Sequence, residues 1–429
     1  MLLEIRVNNL PRRAVVVLSA LIGCTLLMLA AAMNCVVGLL TDPRANASKE
    51  LLELGARVVT HSGTLNARLA EAEMDDQGRD LQRVDVLATQ AVNASPWDYK
   101  QRFLLARVKE AEGDRTHAER ILQEALDLAP NYPEVHWRLA NLFLRDGKLS
   151  KAVPEFRAAS NLNSSLLPGT IDLLWRVSGG NLAPVQAVTP RDPKSQLMLA
   201  QFLLKQSRPS EAITIVSGID RNVLVSLAET PAFIDTLIAS GRVDEARGLW
   251  VGLVSGSYAQ PGRPLPAIWN GSFESDISKS LTQFDWKLDR NEYATAMIDS
   301  TAAHTGTRSL RLDFAGRDTT RVDGQAKQTL VLRPGGLYRL ECYVKTERFD
   351  SPEGPRLVIA DLASGTELAG SDPIASGSSD WRVLSIDFSV PATSSAVMVT
   401  IKRIPKFSFD KPTSGSIWFD DFVLTERGQ

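Results

Sequence analysis

The sequence predicts a multidomain chain: an N-terminal transmembrane helix, an all-α array of helical hairpins, then an all-β jelly-roll sandwich. Three observations predict it. Ala14 to Leu40 contains no charged residue. Ala118, Ala152, Ala212 and Ala246 each stand five residues after a turn position (Gly113, Gly147, Ser207, Gly241), in two pairs 34 residues apart. After Pro264 helical periodicity gives way to short alternating runs separated by Gly, Ser, Pro and Asp.

The 429 residues are enough for two or three domains with real cores, and 44% hydrophobic with 23% charged residues is a folded-protein composition. Lys+Arg of 48 against Asp+Glu of 50 leaves a formal charge of −2, so no basic excess argues for nucleic acid. Cys24 and Cys35 lie in the apolar segment and Cys342 stands alone, which excludes a disulfide within the exported part. His61, His117, His136 and His304 show no zinc-site spacing.

The uncharged run from Ala14 to Leu40 would span ~40 Å as a helix, more than the ~30 Å hydrocarbon layer needs. Arg6, Arg12 and Arg13 precede it, whereas Asp42 and Arg44 cancel beyond it. The positive-inside rule then makes residues 1–13 a cytoplasmic tail, 14–40 a single-pass inner-membrane anchor, and the bulk periplasmic. Two rivals stay open. One is a cleaved signal peptide ending near Ala30-Ala31-Ala32; the other is a lipoprotein box, Leu21-Ile22-Gly23-Cys24, with Cys24 as the lipid-bearing end. All three export the rest of the chain.

Residues 45–255 carry helical periodicity. One copy runs Leu105, Ala106, Gly113, Ala118, Leu122, Ala125, Pro130; the next runs Leu139, Ala140, Phe143, Gly147, Ala152, Phe156, Ala159. The alanines let antiparallel helices approach closely, and the glycines end the first helix of each pair in a left-handed cap. These residues resemble the tetratricopeptide repeat family, which stacks helical hairpins at a period of 34. Departures are plain: Arg102 and His136 stand where the family has Trp, and Lys109 where it has Tyr. The stretch between Ala152 and Ala212 is degenerate and reads as a shortened hairpin, while Ala91 and Pro96 mark a partial repeat upstream. Such arrays offer interaction surface, so protein partners are expected through the repeats.

Residues 256–264 read as a linker and 265–426 as the β-domain. Its landmarks in order are Asn270-Gly271-Ser272-Phe273-Glu274, Phe284-Asp285-Trp286, His304-Thr305-Gly306, Ser309-Leu310-Arg311-Leu312, Pro334-Gly335-Gly336-Leu337-Tyr338 and Ile417-Trp418-Phe419-Asp420-Asp421-Phe422. This order is similar to the galactose-binding-like jelly rolls, particularly carbohydrate-binding modules of families four, nine and twenty-two. The resemblance implies a structural calcium ion (Ca2+) tying first strand to last, with Glu274 and Asp421 as ligands and backbone carbonyls around 304–309 completing the shell. The alternative is that these carboxylates cap turns or pair with arginines. A sugar would lie on the exposed sheet face. Alternation puts Tyr338, Leu340, Cys342 and Val344 inside, leaving Arg339, Glu341 and Tyr343 outward; Arg311 projects opposite Leu310 and Leu312. These four are the candidate glycan residues. Trp286, Trp381 and Trp418 are expected to pack.

No nucleophile elbow, phosphate loop or metal cluster is visible, and Asp420 and Asp421, as strand neighbours, are expected on opposite faces. The chain is therefore read as no enzyme. One reading is a membrane-anchored scaffold with a glycan-binding domain, accessory to bacterial surface or exopolysaccharide biosynthesis or export. The other is a protein-assembly scaffold with a purely structural jelly roll. Asn46, Asn93, Asn163 and Asn270 match the N-glycosylation acceptor pattern, which a bacterial source would make irrelevant.

Overall fold

The structure, a computed structural model, describes residues 10–42, 47–59, 61–76, 78, 80–254, 266–289, 293–317, 321–405 and 411–428. Arg6, Arg44, Asn46 and the 256–264 linker lie outside the described residues. The chain divides into two compact units, Met1–Pro190 and Arg191–Gln429.

The first unit begins with α1 (Leu10–Thr41), whose segment Ala14–Thr41 is long and apolar enough to cross a membrane and has none of its most apolar stretch buried. Then come α2 (Lys49–Val58), α3 (Gly63–Asp75), α4 (Leu81–Ala94), α5 (Tyr99–Ala111), α6 (Arg115–Leu128), α7 (Pro133–Arg145), α8 (Leu149–Leu162), a 3-10 turn (Ser164–Leu166), α9 (Leu167–Val177) and α10 (Leu182–Val188). Helices α5, α7 and α9 start at Tyr99, Pro133 and Leu167, one 34-residue period apart. Asp80, Asp98 and Asp114 each accept hydrogen bonds from first-turn amides, which satisfies donors that a helix start leaves unpaired.

Gly113 and Gly147 sit at φ +86° and +70°, as a left-handed cap requires. Ala118 and Ala152 are fully buried where the paired helices approach. The degenerate stretch folds as the pair α9–α10, closed by the positive-φ residues Gly179 and Gly180. Ion pairs join neighbouring hairpins. Glu110, with its side chain nearly buried, receives two hydrogen bonds from Arg138 (3.0 and 3.2 Å) and one from Arg145 (2.9 Å). Lys109 meets Asp85 at 2.7 Å.

The second unit starts with α11 (Pro193–Lys205), α12 (Pro209–Ser217), α13 (Arg221–Ser226), α14 (Thr230–Ala239) and α15 (Val243–Val254). Ala212 and Ala246 are again fully buried. The turn before Ala212 uses Ser207 at φ +59°, a conformation that strains any residue bearing a Cβ. Ser207→Gly is therefore expected to stabilise this unit by about 1 kcal/mol, read as a higher urea midpoint at unchanged slope.

An antiparallel β sandwich follows. One sheet has the order β1-β4-β9-β6-β7, built from β1 (Lys287–Leu288), β4 (Val322–Val331), β9 (Ala396–Arg403), β6 (Arg356–Asp361) and β7 (Glu367–Gly370). The other has the order β2-β3-β10-β5-β8, from β2 (Ala294–Asp299), β3 (Ser309–Ala315), β10 (Ser414–Arg427), β5 (Leu337–Asp350) and β8 (Gly377–Ser389). Period-two alternation drives Leu310, Leu312, Leu340, Cys342, Val344, Ile417 and Phe419 into the core between the sheets. Burial among these side chains pushes the Cys342 thiol upward, so it stays protonated.

The opening motif docks on the closing one. The Phe422 amide donates to Gly271 O at 2.9 Å, and a Cβ on residue 271 would lie 2.4 Å from the Phe422 carbonyl oxygen. Only glycine permits that approach. Phe273, Trp286 and Phe422 then pack ring to ring at 4.8 to 5.9 Å.

Candidate functional site

The candidate site is the outer face of the β2-β3-β10-β5-β8 sheet, together with the 300–308 loop that joins β2 to β3. Cross-strand register sets its rows. Met297, Arg311, Trp418 and Lys345 line up across four strands, and Asp420, Tyr343 and Val383 line up beside them. Further along stand Val423, Glu341 and Ser385, then Thr425, Arg339 and Asp387.

Arg311 projects outward, as alternation requires, and is already engaged. Its Nε donates to Asp313 at 2.8 Å and Nη2 to Ser416 Oγ at 3.3 Å, while the guanidinium lies 5.0 Å from the Trp418 ring centre. Trp418 is buried, but on the outer side of its sheet and beneath Arg311, with Nε1 donating to Asp299 at 2.7 Å. Burial works to raise the Asp299 carboxyl; the indole donor and Thr301 outweigh it and hold the group below the usual carboxylate range. Arg339 forms a two-pronged pair with Asp387 at 2.8 and 2.7 Å. Glu341 is half-exposed between Val423 and Ser385.

Tyr343 faces outward, but its ring is covered. His304 stacks on it at 3.5 Å and 13°, and Trp381 meets His304 edge-on at 5.7 Å. Trp286 and Trp418 are buried packing residues, whereas Trp381 is half-exposed on the outer face.

Three carboxylates pin the 300–308 loop. Glu274 accepts from the Thr307 and Arg308 amides and the Thr307 hydroxyl, all at 2.8 Å. These donors, the Thr307 amide first, hold its carboxyl below the usual range. Asp420, fully buried, accepts from the amides of His304 (2.7 Å), Thr305 (3.3 Å) and Asp421 (2.7 Å). Burial nonetheless pushes its carboxyl above the ordinary value. Asp421 accepts from His304 Nδ1 and Thr305 Oγ1, both at 2.7 Å.

The expectation that Asp420 and Asp421 face opposite ways needs correction. Asp421 takes φ +49° at a bulge in the β10–β5 ladder, and both carboxylates reach the same loop. The bulge breaks the alternation on which the expectation rested.

The oxygens of Glu274 and Asp421 assigned to calcium thus receive amide, hydroxyl and imidazole donors. Amide N–H groups present their positive ends to Glu274, so the residues as arranged do not fit a cation, which needs oxygen ligands. Among the described residues no three His, Cys, Asp or Glu side chains cluster as a metal site.

Sequence reasoning missed the His304 ring on Tyr343 and the Trp418–Asp299 tie. The His304-Thr305-Gly306 motif marked the right loop, but spacing alone does not say that its imidazole crosses onto β5.

The tetratricopeptide repeat family matches residues 109–163. No curated protein matches the chain at a significant level. Among solved structures the chain is similar to MamA, at 24% identity over 27% of this chain and 66% of that chain with a TM-score of 0.25. A second MamA structure gives 13% identity, 40% and 94% coverage and a TM-score of 0.33. A CBM4 structure is 15% identical over 37% of this chain and 99% of that chain, with a TM-score of 0.28. The helical repeat array with its tetratricopeptide-type hairpins, followed along the chain by an antiparallel β sandwich, is thus the architecture to which a function must be fitted.

Proposed function

We propose that this chain is a membrane-anchored, non-enzymatic scaffold that gathers protein partners on its repeats, with the sandwich as a structural module. The observation that carries the scaffold reading is the run of hairpins beginning at Tyr99, Pro133 and Leu167, inside which the tetratricopeptide repeat family matches. Stacked hairpins expose a long side-chain surface and bring no reactive constellation with it. The structural reading of the sandwich rests on Tyr343. A sugar platform needs an open ring face, and His304 already occupies this one. Arg311 and Arg339 are likewise committed to Asp313 and Asp387.

A second reading keeps the glycan role, in bacterial surface polysaccharide assembly. What favours it is the unfilled part of the same face: half-exposed Trp381 and Glu341 beside exposed Val383 and Val423.

Site-directed photocrosslinking from the repeats of the full chain, combined with affinity electrophoresis in polysaccharide gels, separates the two. Crosslinks to defined proteins without retardation in any gel are the expected result. Retardation that Glu341→Ala and Trp381→Ala abolish would replace the structural reading with the glycan one. Absence of protein crosslinks from the repeats would sink the scaffold itself. Calcium belongs in the same experiment. The carboxylate–amide contacts predict one melting temperature with calcium and with chelator, and a calcium-dependent rise would mean that the ion displaces those hydrogen bonds.

A further inference from the structure

The first helix after the apolar segment, α2, carries two apolar faces, and among the described residues only one of them packs on protein. Leu52 and Gly55 face inward and are buried with Leu65 and Leu69 of α3. On the adjoining side Leu51, Leu54 and Val58 form a stripe at i, i+3 and i+7, and they are 51%, 58% and 66% exposed. Lys49, Glu50, Glu53 and Arg57 fill the remaining arc. An apolar arc that overruns the buried face by three large side chains gains nothing from the fold of its own unit.

The end of α1 lies beside this helix. Leu40, in the last turn of α1, packs into the cluster of Leu52, Leu65 and Leu69. A Cβ on residue 55 would stand 2.7 Å from Leu40 Cδ1. Glycine at 55 thus lets α1 close onto α2. The apolar stretch Ala14–Thr41 has 28 residues, a helix of about 42 Å against a hydrocarbon layer of ~30 Å. Its final turns therefore extend into the headgroup layer when its start spans the core, and Leu40 holds α2 at that level.

We infer that α2 is an interfacial helix lying on the bilayer surface, with Leu51, Leu54 and Val58 immersed among the lipid headgroups and upper acyl chains. The occupant of the stripe is a lipid surface, because the stripe lies on the helix that packs against the end of α1, the membrane-length apolar helix found among the described residues. This inference rests on the membrane-anchor reading of α1. Its consequence is mechanical: anchor and first hairpin form one piece, held at a fixed attitude to the membrane.

The test uses the full chain carrying Cys24→Ala and Cys35→Ala, with Cys342 left in place because it is buried. A nitrobenzoxadiazole label is attached at Leu54→Cys or, in a second variant, at Val58→Cys. The comparator is Asp172→Cys, on α9. The protein is reconstituted into phosphatidylethanolamine–phosphatidylglycerol vesicles and floated on a density gradient.

The expected result is co-flotation, blue-shifted emission at 54 and 58, and severalfold weaker iodide quenching there than at 172. Lipid-borne nitroxide should quench 54 and 58 strongly. Co-flotation with 54 and 58 behaving like 172 overturns the inference and leaves the anchor standing. Labels shielded from iodide yet untouched by lipid nitroxide also overturn it, since protein then covers the stripe. Failure to float overturns the anchor reading and the inference with it.

Discussion

Trp250→Ala is expected to destabilise the C-terminal unit by about 3–5 kcal/mol, among the largest effects available from one side chain here. Trp250 lies on α15 and is fully buried. Its indole Nε1 donates to the Leu281 carbonyl at 2.9 Å, and its ring meets Trp269 at 5.0 Å and Phe284 at 5.8 Å. All three partners belong to the segment that leads into the sandwich. Arg247 adds a bond to the Pro266 carbonyl at 2.7 Å, and Gln283 reaches back to the Pro231 carbonyl at 3.2 Å. Truncation would therefore leave a cavity between α15 and the segment that leads into the sandwich, and orphan a buried carbonyl. The same contacts say where to cut the chain. A fragment of residues 191–429 should unfold in one cooperative urea transition, and Trp250→Ala should shift its midpoint by more than a molar. A fragment beginning at 266 exposes Trp269, Leu281 and Phe284 and should aggregate or melt early. Equal stability of the two fragments would show that the helices merely accompany the sandwich.

Much of this fold can be read from the sequence, for identifiable reasons. The left-handed turns at Gly113, Gly147 and Gly241 are written in residue type, since only glycine takes that conformation without strain. Even Ser207 was legible, because the alanine five residues on kept the register. Strand alternation likewise sorted Arg339, Glu341 and Tyr343 from Leu340, Cys342 and Val344, because period-two geometry is local. What could not be read were contacts between residues far apart in the chain. That His304 covers Tyr343, and that Trp418 turns outward to Asp299, depends on how a loop crosses a sheet. No spacing rule carries that information. Trp250 was equally silent: a tryptophan on a helix reads as ordinary core, and only the folded unit shows that it packs on Trp269, Leu281 and Phe284, in the segment that leads into the sandwich. The bulge at Asp421 is the sharpest case. Alternation is a rule about regular strands, and a single left-handed residue suspends it at the position where two carboxylates matter.

Asp420→Ala should cost about 3 kcal/mol and release the 300–308 loop from the sheet. The side chain is fully buried and satisfies the amides of His304, Thr305 and Asp421. Alanine leaves three donors without their acceptor, each worth about 1 kcal/mol or more when buried. Asp420→Asn keeps one carbonyl acceptor and should lose less. With the loop free, His304 leaves Tyr343, so amide exchange at 304–308 should accelerate while the core strands stay protected. The acid behaviour of the two clamps has opposite sign. Asp420 is raised in the folded state, so the part of its contribution linked to protonation is complete below the ordinary Asp value of 3.8 and is lost as pH rises through its folded pKa, while its oxygens accept from the three amides in either state. Glu274 is lowered, so its contribution is complete above the ordinary Glu value of 4.5 and is lost as pH falls through its folded pKa. Removing Glu274 by Glu274→Gln should therefore cost stability at neutral pH and progressively less in acid. Melts at stepped pH would show wild type and Glu274→Gln converging below 4.5, and a gap that widened there would refute the clamp. Asp420→Ala also bears on function, because it opens the Tyr343 ring face that His304 keeps closed. If that variant binds polysaccharide and the wild type does not, His304 is a lid over a working sugar platform. If neither binds, Tyr343 is there to hold the loop, and the sandwich is structural.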